Sequence, residues 1–181
     1  NTLCYGNPSP ATCFPPASAL LSSWDMELLQ EVGAALGVES NALGVDLLLG
    51  PVINIKLSPL AGRNFEYFSE DPILSGKLGA AYINGVQSQG VGATAKHYVA
   101  NNVETKRMWA NSNVDERTLN EIYMTPFEIA VKEAQPWSVM ACYNRVQGTY
   151  GTESLRLLTD KLRNEWGVKG FVVAEWDAVC D

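Results

Sequence analysis

Seven side chains have the types and spacing to do chemistry together: Arg63, Lys96, His97, Arg107, Tyr143, Glu175 and Trp176. Six of them, all but Arg107, stand just after or at the end of an apolar run. Arg63 and Asn64 come after residues 47–55, and Lys96-His97 closes the run over residues 91–96. Tyr143-Asn144-Arg145 follows residues 137–142, and Glu175-Trp176-Asp177 follows residues 170–174. A carboxylate, three cations, an imidazole and aromatic rings suit a sugar, whose hydroxyls take charged partners and whose ring faces lie against aromatic rings. They suit a phosphate less, because Gly85, Gly90 and Gly92 have neither the G-x-G-x-x-G nor the P-loop spacing. With one histidine and no clustered thiols there is no metal-ligand set, and neither a metal nor another cofactor is expected.

Each residue also has a plainer explanation. Arg63 lies near Glu66 and Glu70 and could be an ordinary surface ion pair of little energetic weight. A lone histidine is often structural, but His97 beside Lys96 at a strand end reads better as a pair of donors to a polar ligand. Tyr143 could be packing with its hydroxyl at the edge, and Arg107, next to Lys106 in a polar loop, could be solvated charge. Glu175 and Asp177 could cap a helix, yet none is expected after them before the sequence ends, which favours a site role for Glu175.

The elements that must position these groups alternate between helical periodicity and short apolar runs, the pattern of βα units on a parallel sheet. Met26, Leu29, Val32 and Leu36 mark a helix over residues 25–43, and residues 47–55 then read as a buried strand with Pro51 where no donor is needed. Asp71-Pro72 starts a helix that reaches residue 88. Asp115 starts one that reaches residue 134, and Ser154 one that reaches residue 165. Residues 91–96, 137–142 and 170–174 are the remaining strands. Groups at the ends of successive parallel strands converge on one rim.

Composition narrows the partners. The chain has 181 residues, with 20 acidic and 13 basic side chains and a formal charge of −7, which argues against a nucleic-acid backbone as partner. No apolar stretch approaches the roughly 18 residues needed to span a bilayer, so no membrane partner is expected. The N-terminus shows no secretory pattern, and the compartment is not legible. Cys4, Cys13, Cys142 and Cys180 lack C-x-x-C spacing and read as free thiols, with a Cys4–Cys13 bridge left open. A closed eight-stranded (β/α) barrel needs roughly 250 residues. The expected fold is therefore α/β, a partial TIM-barrel-like domain truncated at both ends, or else an open sheet.

At these residues the sequence resembles family 3 glycoside hydrolases of the β-glucosidase type. The resemblance lies in Gly50-Pro51-Val52-Ile53-Asn54-Ile55-Lys56 and in Gly62-Arg63-Asn64-Phe65-Glu66-Tyr67-Phe68-Ser69-Glu70-Asp71-Pro72. It continues in Ala95-Lys96-His97-Tyr98, Asp115-Glu116-Arg117-Thr118-Leu119 and Leu158-Thr159-Asp160. It implies a fragment, residues 1–181, of a single (β/α) barrel-like catalytic domain, acting on β-glucosides or oligosaccharides with retention through two carboxylates about 5 Å apart. By motif, Arg63, Lys96, His97, Arg107 and Tyr143 match the contacts to the glycon, Trp176 an aromatic flanking the leaving group, and Glu175 the nucleophile.

Three departures accompany the match. The family nucleophile is Asp in Ser-Asp-Trp, whereas Ala174-Glu175-Trp176 carries one more methylene, about 1.5 Å of added reach. Asp177 stands where the family usually has Gly, and is expected to be an exposed side chain. The family's upstream sugar-binding Asp and its acid/base Glu have no counterpart in this sequence, so weak or absent hydrolysis is expected unless the remainder of an enzyme supplies them. A catalytically silent sugar-binding relic is the alternative. Unpaired sheet edges would also favour self-association.

Overall fold

Three aspartates set where the main helices begin. In the computed structural model, which describes residues 9–179, Asp25 accepts the Leu28 N–H at 3.0 Å and opens α2 (Met26–Ala42), after a short α1 (Ala17–Leu21). Asp71 accepts the Leu74 N–H at 2.8 Å and, with Pro72 in the first turn, opens α3 (Pro72–Gln87). Asp115 accepts the Thr118 N–H at 3.0 Å and opens α4 (Glu116–Thr118).

The helix expected over residues 115–134 is not uniform. It widens into a π-type segment, Leu119–Met124, before resuming as α5 (Thr125–Ala134). Pro126 has no N–H to give the preceding turn. The Thr125 hydroxyl compensates, donating to the carbonyls of Asn120 at 2.9 Å and Glu121 at 2.8 Å. The helix expected from Ser154 is likewise π-type, over Arg156–Glu165.

Four parallel strands form the main sheet: β1 (Leu47–Leu48), β2 (Gly92–Tyr98), β4 (Ser138–Ala141) and β7 (Phe171–Ala174), in the spatial order β1-β2-β4-β7. Each strand adds beside its predecessor, as in a singly wound α/β fold. The strand expected over residues 47–55 is corrected to Leu47–Leu48. Beyond it the backbone follows β2 irregularly, through Thr94 N–H to Gly50 carbonyl at 2.9 Å, Lys96 N–H to Pro51 carbonyl at 3.1 Å and Ile53 N–H to Lys96 carbonyl at 2.9 Å. Pro51 has no donor to continue a regular ladder.

A second, small sheet was not expected. β3 (Asn111–Ser112) pairs in parallel with β5 (Arg145–Val146), and β5 turns back on β6 (Thr149–Tyr150). Gln147 at φ 51° and Gly148 at φ 93° make the two-residue turn.

Helices α2 and α3 cross with almost no gap. A Cβ built on Gly85 of α3 would lie 2.1 Å from the Gln30 carbonyl, and one on Gly33 of α2 2.4 Å from the Tyr82 carbonyl. Under β2, Tyr98 meets the rings of Phe127 and Trp166 edge-on, with centroids 5.2 Å and 5.8 Å apart. Among the described residues Cys13 and Cys142 form no disulfide, and burial pushes the Cys142 thiol up to about 12. Cys4, and with it the Cys4–Cys13 bridge, and Cys180 lie outside the described residues.

Candidate active site

The backbone around Glu175 is fixed before its side chain matters. The Glu175 N–H donates to the Ala141 carbonyl at 3.1 Å, one step beyond the β4–β7 ladder, and the Cys142 N–H donates to the Tyr98 carbonyl at 2.8 Å. The ends of β4 and β7 are therefore in register, and the β2–β4 ladder shifts by one residue between Lys96 and Tyr98, so Lys96-His97, Tyr143 and Glu175 emerge side by side.

Two further loops join them. Tyr67 ties the Arg63 loop to the segment after β2 by donating to the Asn101 carbonyl at 2.5 Å. Asn102 anchors that segment from the other side by donating to the Ile55 carbonyl. Arg63, far from Glu175 in sequence, is thereby carried to the same rim as Glu104 and Arg107.

Arg63 is the hub. Its side chain is only 14% exposed, with Nε 2.5 Å from Glu66 Oε1 and Nη2 2.9 Å from His97 Nε2. Nη1 lies 3.8 Å from both Glu104 Oε1 and Glu175 Oε1. Burial works against the charge, but Glu66 and Glu104 outweigh it and raise the guanidinium pKa. The surface-pair explanation thus holds for the partner Glu66 but not for the setting, which is buried.

Glu175 is 12% exposed, and its Oε2 lies 3.3 Å from His97 Nε2. Burial alone would push the carboxyl up. His97, Lys96 and Arg63 together overcome it and hold Glu175 below the usual carboxylate range, so it is ionised near neutral pH. Burial lowers Lys96, against the opposing pull of Glu66 and Glu175. His97 has no exposed side-chain surface; burial, aided by Arg63 and Lys96 and opposed by Glu175, keeps its imidazole below the usual histidine range.

Arg107 joins the cluster, although its side chain stays 37% exposed. Its Nη1 lies 2.7 Å from Glu104 Oε2, its guanidinium sits 4.2 Å over the Tyr143 ring, and its Nη2 donates to the Tyr143 hydroxyl at 3.4 Å. Burial, with Glu175 nearby, raises the Tyr143 phenol. Trp176 follows at the outer edge, half exposed. Asp177 is exposed, as expected, and adopts a left-handed φ of 59°, the conformation glycine takes at no cost.

The structure brings together Arg63, Lys96, His97, Arg107, Tyr143 and Glu175. It adds three residues that sequence reasoning did not place in the site. Glu66 and Glu104 hold the two arginines, and Asn54 is buried against His97. Three-residue spacing was the available signal for both glutamates, Glu66 with Arg63 and Glu104 with Arg107. No signal marks Asn54, whose partner lies 43 positions away. An apolar cavity of about 500 Å3, lined by Phe14, Leu20, Leu36, Phe65 and Tyr82 among others, touches the cluster only through Glu66. Among the described residues no group of His, Cys, Asp and Glu has the arrangement to hold a metal.

An α/β fold with charged groups gathered at the ends of parallel strands defines the class of α/β domains that carry their site on one rim, and comparison with known proteins makes the family specific. The model of the glycosyl hydrolase family 3 N-terminal domain matches residues 6–180, and the chain belongs to that family. It is 60% identical to thermostable β-glucosidase B of Acetivibrio thermocellus over 97% of this chain and 23% of that protein. It is 50% identical to an exo-α-(1→6)-L-arabinopyranosidase of Bifidobacterium longum over 93% of this chain and 22% of that protein. Its structure is similar to that of β-glucosidase 3B from Thermotoga neapolitana in complex with glucose, with a TM-score of 0.92 at 53% identity, covering 94% of this chain and 24% of that one. The chain thus spans less than a quarter of the length of these relatives.

Proposed function

We propose that this chain carries the glycon-binding and nucleophile portion of a retaining β-glycosidase, with terminal β-D-glucosides as substrates and Glu175 as the nucleophile. The observation that carries the proposal is a single ionised carboxylate at the end of β7, flanked by Arg63 at 3.8 Å and His97 at 3.3 Å on a rim that also holds Lys96, Arg107 and Tyr143. A glucose ring entering this rim gives its hydroxyls to the cations and its anomeric carbon to Glu175. Trp176, at the outer edge, is suited to stack on the leaving group.

Glu175 attacks the anomeric carbon, the glycosidic C–O bond breaks, and a glycosyl ester forms as the leaving oxygen takes a proton from a second carboxyl group. Water, losing its proton to that same group, then attacks the ester, and Glu175 is released with net retention. Glu66 and Glu104 are each occupied by an arginine. The proposal therefore assigns the proton donor to the part of the relatives to which this chain does not correspond. Arg63, Lys96 and Arg107 donate to hydroxyls, and these bonds strengthen as positive charge develops on the ring.

A second proposal, a sugar binder without turnover, draws on the extra methylene of Glu175. A displacement of about 1 Å can cost on the order of a hundredfold in rate. Incubation with a 2-deoxy-2-fluoro-β-glucoside followed by mass spectrometry of the digest tests the first proposal: an adduct on Glu175 is expected, and its absence while glucose still binds favours the second. Glu175→Asp should raise the rate on an aryl β-glucoside by about a hundredfold if reach alone limits the nucleophile. The arabinopyranosidase activity of one relative makes an aryl α-L-arabinopyranoside the necessary second substrate. Faster turnover of that compound would overturn the glucoside assignment.

A further inference from the structure

Two groups compete for Nε2 of His97. Arg63 Nη2 lies 2.9 Å from it and Glu175 Oε2 3.3 Å. A guanidinium only donates and a carboxylate only accepts, so one nitrogen of a neutral imidazole cannot serve both. It carries either a lone pair for Arg63 or a proton for Glu175.

The other edge of the ring decides which. Asn54, 2% exposed, donates from Nδ2 to the His97 carbonyl at 2.9 Å and accepts the His97 N–H on Oδ1 at 2.6 Å. These two backbone bonds fix the amide, because exchanging its O and N would oppose donor to donor and acceptor to acceptor. Oδ1 consequently faces Nδ1 of the ring, at 3.4 Å. An oxygen there can only accept, so the ring proton belongs on Nδ1.

We infer that Asn54 is a positioning residue that holds His97 in its neutral Nδ1–H form and turns Nε2 into a hydrogen-bond acceptor. This reverses the donor role assigned to His97 from its place beside Lys96. Arg63, Lys96 and Glu175 are the charged groups facing the ring. The two cations and burial oppose an imidazolium, and Glu175 favours one; with Nε2 bare, Lys96 and Arg63 rather than a hydrogen bond from His97 hold Glu175 ionised.

For the site, the consequence rests on the glycosidase proposal. Arg63, Lys96 and Arg107 supply only donors, whereas a sugar hydroxyl also has a hydrogen to place. Nε2 offers an acceptor that can pass from Arg63 to the substrate, without a further positive charge beside the nucleophile.

The test is independent of hydrolysis, because His97 is the only histidine in the chain. Two-bond 15N–1H correlation spectra of [15N]histidine-labelled protein at neutral pH should show Nδ1 protonated and Nε2 bare. Nε2 protonated, or an imidazolium, overturns the inference. In Arg63→Met the Nδ1–H form should persist, since Asn54 and not Arg63 sets it; a switch to Nε2–H, donating to Glu175, overturns it. Asn54→Asp should raise the pH of half-protonation of His97 by about one to three units, and no rise would count against the assignment. Should Asn54→Asp fail to fold, the first two spectra decide. Loss of fluoroglycoside labelling with these spectra unchanged would instead remove the glycosidase proposal and leave the tautomer assignment standing.

Discussion

The α2–α3 helix pair and the charged rim around Arg63 are both tightly packed, but for opposite physical reasons. At the helix crossing, Gly33 and Gly85 let two backbones touch, and what holds them is close-packed apolar surface that carries no charge and is indifferent to pH. At the rim, three carboxylates, two arginines, a lysine and an imidazole share a half-buried space, and Arg63, Lys96 and Glu175 depend on their neighbours for their charge. A defect in the first region costs packing and stays local. A defect in the second leaves an uncompensated buried charge, so its cost spreads through stability, pH response and ligand contact at once.

Removing the hub should separate the two regions most sharply. Arg63→Ala takes one cation from Glu66, Glu104 and Glu175 at once, leaving Glu104 to Arg107 alone, and a loss of about 3–5 kcal/mol is expected in urea denaturation at neutral pH. The penalty should shrink on acidification, as Glu175 protonates. Gly85→Ala is the counterpart in the helix pair, where the new methyl meets the Gln30 carbonyl; about 1–3 kcal/mol should be lost, by the same amount at every pH. A pH-dependent loss in Gly85→Ala would break the comparison.

Acid should act through His97 first. Its folded pKa is lowered by burial, so below the ordinary histidine value of about 6.5 the unfolded chain takes up a proton that the folded one refuses. Stability therefore falls as the pH drops through this range, and stops falling on this account once the folded imidazole also protonates. Glu175, likewise lowered, gives stability that is present above its unfolded value and lost at more acid pH. In melting curves from about pH 7.5 to about pH 5.5, His97→Asn should flatten the slope; an unchanged slope would assign it to other groups. The smallest effect is expected at Asp177, where Asp177→Gly relieves a left-handed backbone on an exposed residue and should gain less than about 1 kcal/mol by urea denaturation.

Much of the fold was legible because its causes are local. Asp25, Asp71 and Asp115 cap helices within three residues of themselves, and apolar runs mark β2, β4 and β7 whatever surrounds them. The misplacements have local causes that the apolar pattern overrides: Pro51 interrupts a strand that hydropathy alone would continue, and Pro126 widens a helix that the cap alone would leave regular. The small β3-β5-β6 sheet is too short to leave a pattern.

The site divides along the same line. The sequence by itself determined which chemical groups stand at the strand ends, because residue type and position after an apolar run need no distant partner. Only the tertiary structure decided which of them touch. It brought Arg63 to Glu175 across 112 positions, set Arg107 against Glu104 and Tyr143, and set Asn54 against His97. Proton positions and charge states follow from such contacts, since burial and neighbours act over a few ångströms of space however far apart the residues lie along the chain.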